Sequence, residues 1–463
     1  MPQLLTHWVT CLNTESLKTY YYRLIPGLVV CFVMLLSLTG CQKDTSGKAV
    51  IRFSTWGSAE EMAVVKSLIN EFEANHPTVS VEMIHIPENY YQKLHLMIAG
   101  GNVPDVMFTN SISFPIYATH GIFADLTPWL EKSTALAAGD FFTPALEAFY
   151  WANQPDQTEI LGALPRDVSN LVVFYNRTLF KKQGLALPTN TWDWQTFLIA
   201  AQRLTVDANN DGHPERFGVS FFRKPPLTWM PFVWSAGGQM LSEDRTQFTL
   251  TEPVALEGLT FYSDLRNRYH VAPRQIESGG ATMSQLFLQQ KLGMMISGRW
   301  SVPFLRQKAT FDWDVAPFPS GQEGSKVGID ASGYAMASST PHPEASWAFI
   351  EFMSSPKAMA KFTQSGLIVP ARMDVAKSSA FLAENQLPAH SGVFLETIDS
   401  GVPTRSHPRW NELSEEVQLA LDPVWDGQAE PGEALLAVQD KIQRILTVDD
   451  HPRLETKKAG RHE

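Results

Sequence analysis

Cysteine is scarce in this 463-residue sequence: there are three, and Cys11 and Cys31 lie before or within an apolar N-terminal run that Cys41 closes. If that run is removed, one sulfur remains, so no intramolecular disulfide is available and stability must come from burial. Past Cys41 no apolar stretch approaches the ~20 residues of a membrane span. A basic block is also missing. The 37 Lys and Arg stand against 48 Asp and Glu, for a net charge of -11, a balance that argues against nucleic acid as a partner. The 12 histidines are scattered without metal-ligand spacing. Gly293 to Arg299 lacks the lysine with which a Walker loop reaches a phosphate. There is no internal repeat at a fixed period and no low-complexity block.

What is present begins with Leu24 to Ser37, an apolar run preceded by Lys18 and Arg23 and followed by Leu38-Thr39-Gly40-Cys41. This is the pattern of a secretory signal with a lipoprotein box. It predicts a signal peptide over 1–40, acylation of Cys41 with palmitate-type chains, and a polar linker over 41–48. An uncleaved membrane helix fits less well, because the run, even carried on to Gly40, is about 17 residues and has Pro26 early. About 20 residues precede the run, long for a leader, which points to a translation start nearer Lys18. Cleavage before Cys41 leaves 423 residues with a net charge of -12 and 12 of the 13 tryptophans. That length suits two or three domains and a large core. The expectation is an exported body, tethered to a bacterial membrane and standing in the periplasm or cell-surface space.

Along the chain, Ala49 to Ser54 is a buried strand and Ser58 caps a helix whose Met62, Val65, Leu68, Ile69 and Phe72 recur at helical spacing, until Asn75-His76-Pro77 ends it. A strand with Val79, Val81 and Met83 follows, then a helix with Tyr91, Leu94 and Ile98 that ends at Gly100-Gly101, then the strand Pro104 to Phe108. This βαβαβ order predicts a parallel sheet with right-handed crossovers. Leu171 to Asn176, Leu292 to Ser297 and Gly333 to Ser338 are further strands. Thr191 is placed as a helix cap, and Pro253 opens another helix. From Pro343 onward the pattern is mostly helical, and 449–463 is a charged tail without periodicity, the composition of a disordered segment.

Several residue groups occur together: Ser54-Thr55-Trp56-Gly57, Tyr91 to Leu94 with Gly100 to Val106, Val173 to Asn176, Ser235 to Gly238, Gly298-Arg299-Trp300, Gly333-Tyr334 leading to His342-Pro343-Glu344-Ala345, and Gly366 to Arg372. In this order and spacing they resemble the family 1 extracellular solute-binding proteins, the maltose-binding-like receptors of carbohydrate-uptake ABC transporters, over nearly all of residues 49 to 447. The resemblance implies an α/β, periplasmic-binding-protein-like fold of class II type, with two lobes, a hinge of several crossing segments and the ligand in the cleft between them. Projected onto this chain, residues 49–164 and 299–354 form the N-terminal lobe, and 165–298 with 355–448 the C-terminal lobe. The chain would cross near Leu164 to Ser169, return near Gly298 to Trp300, and cross again after Met353. A sugar offers apolar ring faces and a polar rim, so such a cleft needs aromatic plates and hydrogen-bonding edges.

The resemblance places Trp300 as the main stacking plate, with packing under the hinge as the alternative. It places Trp56 at the mouth of the first turn, and Trp229 and Trp234 either at the ligand or in the core. Asn110, Ser111, Ser169 and Asn170 stand where relatives carry polar ligand contacts. Tyr334, Arg372 and Trp410 match variable ligand-side positions, with a hinge salt bridge as the other role for Arg372. Ser58, Tyr90 and Gly333 complete the set, and Trp192 and Trp194 are assigned to packing. The implied partners are a carbohydrate ligand and the membrane permease subunits of an ABC importer. The protein is expected to be a monomer with no cofactor, no metal and no catalytic residue.

Other chemistry is weaker. Asp207 to Gly212 starts like a calcium loop, but position 12 is Gly218 where a bidentate Glu is needed, so a structural Asx turn is the better reading. Ser354-Ser355-Pro356-Lys357 holds a Ser-x-x-Lys tetrapeptide without the companion motifs that would give it meaning. A lipoprotein glycoside hydrolase would need a carboxylate pair about 5–10 Å apart, which nothing in the sequence singles out. Glycerol-3-phosphate as ligand, and a signalling partner instead of a transporter, remain open alternatives.

Overall fold

The chain first builds β1 (Ala49–Thr55), the helix Ala59–Asn75, β2 (Val79–His85), the helix Tyr90–Ala99 and β3 (Val106–Asn110). The computed structural model describes residues 48–152, 159–221, 226–274, 277, 281–383 and 385–447. The signal segment 1–40, Cys41, most of the linker and the tail 449–463 lie outside the described residues.

Local chemistry sets the first elements where the sequence places them. Ser58 caps the first helix, its Oγ accepting the Glu61 amide at 3.2 Å. Glu60 and Glu61 sit in the first turn, where negative charge complements the helix dipole. The five apolar residues spaced along this helix are its buried face. β1 pairs in parallel with β2, from Ala49↔Val79 to Thr55↔His85, and in parallel with β3 at Phe53↔Val106. A different cap holds the helix Trp194–Leu204: it is Asp193, not Thr191, whose Oδ1 accepts the Thr196 amide at 2.8 Å.

Further strands follow: β4 (Tyr150–Trp151), β5 (Ile160–Leu161), β6 (Leu164–Ser169), β7 (Val172–Asn176), β8 (Phe217–Ser220), β9 (Leu292–Ser297), β10 (Trp313–Ala316), β11 (Asp330–Met336) and β12 (Val369–Pro370). They form a six-stranded sheet in the order β12-β6-β11-β3-β1-β2, a four-stranded sheet β10-β7-β9-β8, and the hairpin β4-β5. The parallel β2-β1-β3 unit agrees with the βαβαβ order. Beyond it β11 runs antiparallel between β3 and β6, so the sheet is mixed.

Strand pairing divides the chain at other places than the expected boundaries. Leu164 to Ser169, expected at the crossing, is a full strand of the six-stranded sheet, and the chain passes to the other sheet only between Ser169 and Val172. Residues 313–316, expected in the N-terminal lobe, are β10 of the four-stranded sheet. β12, expected in the C-terminal lobe, pairs with β6, and the helix Pro356–Gln364 joins the first lobe through Lys361 Nζ, 2.7 Å from Ser67 Oγ. Backbone hydrogen bonds decide sheet membership, and buried strands of either sheet present the same apolar run. β7 illustrates this: Val172 and Phe174 belong to one apolar core, Val173 and Tyr175 to the other.

Candidate functional site

Two small cavities lie where the lobes meet. The larger, about 140 Å³, is walled on one side by Ile112, just past β3, and by Asp330, the first residue of β11. Its other wall is Met230, Trp234, Thr404, Arg405 and Trp410. The second cavity, about 110 Å³, shares Thr404 and adds Ser111, Glu147, Trp151 and Arg245. β3 ends and the antiparallel β11 begins at the same sheet edge, which is the carboxyl edge of the parallel strands where ligands bind in open α/β sheets.

The local sequence explains how these walls are held. Trp234 and Met230 are one turn apart on the helix Pro226–Ala236, so they share a face. Trp234 Nε1 donates to Gln239 Oε1 at 3.0 Å, and its ring packs so closely on Gly328 that a Cβ there would sit 3.2 Å from it. Residues 402–406 lie beside the lead-in to β11, with the Ile329 amide donating to Val402 O at 3.0 Å and the Val402 amide to Val327 O at 2.8 Å. Arg405 Nη1 donates to Leu241 O at 3.0 Å, and Trp410 opens the helix Trp410–Trp425.

The electrostatics are uneven. Asp330 is buried, and burial raises its carboxyl to about 6; the Thr404 and Ser111 hydroxyls and the Thr404 backbone pull the other way. Its Oδ1 has no hydrogen-bond partner. The Arg245 guanidinium, 5.6 Å from the centre of the Trp151 ring, is lowered from the usual arginine range by burial and then by Arg405.

Of the residues marked from the sequence, Trp234 and Trp410 line the larger cavity and Ser111 the smaller. Ser169 is the sheet partner of Asp330, one strand away. The others are placed elsewhere. Asn110 is committed to its loop, its Oδ1 accepting the Ser113 amide at 2.8 Å. Asn170 is buried and donates through Nδ2 to Phe394 O and Thr397 Oγ1, both at 2.6 Å, so it fastens the helix Val393–Asp399. Ser58 is the helix cap already described. Tyr90 is buried with its hydroxyl 2.9 Å from Ser54 Oγ. Trp56 is half-buried on Phe108 and Tyr90, at ring distances of 4.3 and 4.7 Å.

Four expected contacts are corrected by their packing. Tyr334 is in the first core, its ring 5.6 Å from Phe108 and 5.9 Å from Phe53. Gly333 abuts β6, where a Cβ would fall 2.2 Å from Leu164 O; it permits strand contact. Trp229 is fully buried in the second core. Arg372 makes a structural ion pair, Nη1 to Asp140 Oδ2 at 3.2 Å and Nη2 to Asp374 Oδ2 at 3.0 Å, the alternative its charge allowed. Trp300 lies outside both cavities; its ring folds over Gly298 and it is 36% exposed. Trp192 and Trp194 pack, the first donating Nε1 to Pro317 O at 2.9 Å and the second stacking on Phe261 at 4.6 Å.

Sequence reading missed Ile112, Met230, Asp330, Thr404 and Arg405. One signal was available: Asp330 interrupts the apolar positions at the start of a buried strand, which begins three residues earlier than expected. The Asp207 loop is an Asx-type turn. Asp207 Oδ1 and Oδ2 accept the Asp211 and Gly212 amides at 3.2 and 2.9 Å, and Asp211 Oδ1 accepts the His213 amide at 2.8 Å. Among the described residues no group of three or more His, Cys, Asp or Glu is placed to hold a metal ion, and no helix is long and apolar enough to cross a membrane.

Comparison with known proteins extends this geometry. An ABC substrate-binding protein from Listeria monocytogenes, solved in complex with cycloalternan, has a TM-score of 0.77 and 26% identity to this chain, covering 86% of it and 99% of that protein. An uncharacterized lipoprotein of Streptomyces antibioticus is 25% identical over 360 residues, 75% of this chain and 76% of the relative. A galactooligosaccharide-binding protein of Bacillus subtilis is 22% identical over 421 residues, 88% and 93% of the two chains. The two-lobed fold is therefore that of the maltose-binding type of periplasmic binding proteins. Residues 56–360 match the family described as bacterial extracellular solute-binding protein, and the chain belongs to that family.

Proposed function

We propose that the protein captures a sugar or oligosaccharide in the interlobe cleft and delivers it, by hinge closure, to the membrane permease of an ABC importer. The observation that carries this reading is the cavity between the lobes, where Trp234 and Trp410 supply apolar ring surface while Asp330 and Thr404 supply polar edges. Stacked faces with hydrogen-bonded rims are what a pyranose requires. Relatives that bind cycloalternan and galactooligosaccharides support the ligand class. Trp300, exposed just after β9, is the remaining candidate plate. Glycerol-3-phosphate is the second reading, favoured by Arg405 and Arg245 in adjoining walls.

A thermal-shift panel of maltotriose, trehalose, raffinose and glycerol-3-phosphate separates the two readings. A ligand at 100 times its dissociation constant stabilises the folded state by about 2.7 kcal/mol, so the true class raises the melting temperature by several degrees. If no saccharide moves it, the sugar reading falls. Trp300→Ala is expected to weaken saccharide binding by about 1–3 kcal/mol, taking the range for an aromatic side chain stacked on a nucleic-acid base; unchanged affinity by calorimetry removes Trp300 from the site.

The membrane tether belongs to the same proposal. A receptor without turnover works by staying near its permease, and acylated Cys41 with the linker to Lys48 would keep it there. One acyl chain anchors only marginally, so the several chains of a bacterial lipoprotein are needed. Cys41→Ala is expected to move the protein from the membrane fraction to the soluble fraction without changing ligand affinity. Retention in washed membranes overturns the tether.

A further inference from the structure

We infer that Asp330 is the principal acceptor for the ligand, taking hydroxyl donors of a neutral saccharide on its unpartnered Oδ1. The assignment rests on the interlobe cleft being the ligand site. Asp330 is only 7% exposed, walls the larger cavity, and keeps Oδ1 without a hydrogen bond. An orphaned buried acceptor weakens the unliganded fold, because it has lost water without gaining a donor. Such a group fits a place where a bound molecule supplies the donor.

The surrounding charges do not satisfy it. The Pro226–Ala236 helix and residues 110–112 contain no charged side chain. On neighbouring β6, Asp167 is tied to Arg166 at 2.6 Å, and Lys326 stands on the lead-in to β11. Arg405 lines the same cavity with Nη1 given to Leu241 O, and Arg245 and Glu147 line the adjoining one. Among the hydroxyl groups nearby, Ser111 and Thr404 moderate the charge of Asp330 without removing the effect of burial.

The chemistry selects the ligand. An ionised carboxylate accepts hydrogen bonds and donates none, so the partner must present donors, as vicinal hydroxyls do, and a phosphate is repelled. Those donors favour the ionised form, so binding lowers the pKa of Asp330 and is strongest above about 6. As pH falls to 5, roughly one carboxyl in ten stays ionised, and saccharide affinity drops about tenfold from its value at pH 7.5. The unliganded protein behaves oppositely. Its folded state holds the Asp330 proton between pH 3.8 and about 6 where the unfolded state releases it, so the contribution of Asp330 to stability falls as pH rises through that window and is fully lost above it.

The test is calorimetric titration of wild type and Asp330→Asn with whichever of maltotriose, trehalose or raffinose gives wild type its largest melting shift. The expected result is affinity at least tenfold weaker in Asp330→Asn at pH 7.5, a flattened pH profile, and an unliganded melting temperature above wild type at pH 7.5 that converges with it at pH 4. If the variant does not fold, the wild-type affinity profile decides alone. Saccharide binding by wild type that is flat from pH 7.5 to 5, or binding by Asp330→Asn within twofold of wild type, overturns the assignment and leaves the sugar reading standing. Binding of glycerol-3-phosphate alone, or of no saccharide at all, overturns both.

Discussion

Replacing Arg166 by methionine is expected to lower the unfolding free energy by about 3–5 kcal/mol, the cost of leaving a buried charge without its partner. Arg166 is 5% exposed on β6. Its Nε meets Asp167 Oδ2 at 2.6 Å and its Nη1 meets Glu61 Oε1 at 2.8 Å. The guanidinium also lies 4.1 Å from the centre of the Phe108 ring and 4.8 Å from that of Phe362. One side chain thus joins the first helix, the sheet and the helix Pro356–Gln364. Methionine fills comparable space, so the loss isolates the uncompensated Asp167 carboxylate from a packing defect. Denaturant unfolding monitored by tryptophan fluorescence measures it. A change below about 1 kcal/mol, the range of an exposed pair, would show that the network does not hold these elements together.

Trp229→Ala is expected to cost about 3–5 kcal/mol, as large-to-small substitution of a buried aromatic does when the surroundings cannot collapse. The side chain is 0% exposed, within the second core and 6.4 Å from the Trp425 ring. Ligand affinity, measured at a temperature where the variant remains folded, is expected to stay within about threefold of wild type, well under the 1.4 kcal/mol that a tenfold change represents. The pair of measurements separates a core residue from a ligand plate. A large loss of affinity with little loss of stability would return Trp229 to the site.

These two residues also mark where the sequence alone stops being informative. The capped first helix, the parallel β2-β1-β3 unit and β9 at Leu292 to Ser297 lie where periodicity and capping chemistry place them, because hydrogen bonds and apolar spacing within a few residues suffice to specify them. Arg166 carries no such mark. Its partners lie 105 positions upstream and one position downstream, and only the fold shows that the three charges share one buried place. Trp229 and Trp234, five residues apart on one helix, have the same hydrophobic signature in sequence, yet only Trp234 reaches the cavity.

Motif order and local chemistry along the chain are enough for the family, the alternating α/β architecture and, as an expectation about export, a leader closing on Leu38-Thr39-Gly40-Cys41. Those properties are local or depend on ordered motifs, so they survive without coordinates. Which strands share a sheet and which polar group lines the cavity follow from packing across the whole fold. Ile112, Trp234, Asp330 and Arg405 are far apart in the chain and meet because β3 and β11 are antiparallel neighbours at one sheet edge, with residues 402–406 laid beside them. The unsatisfied oxygen of Asp330 is a property of that meeting: it depends on which donors surround the carboxylate in space.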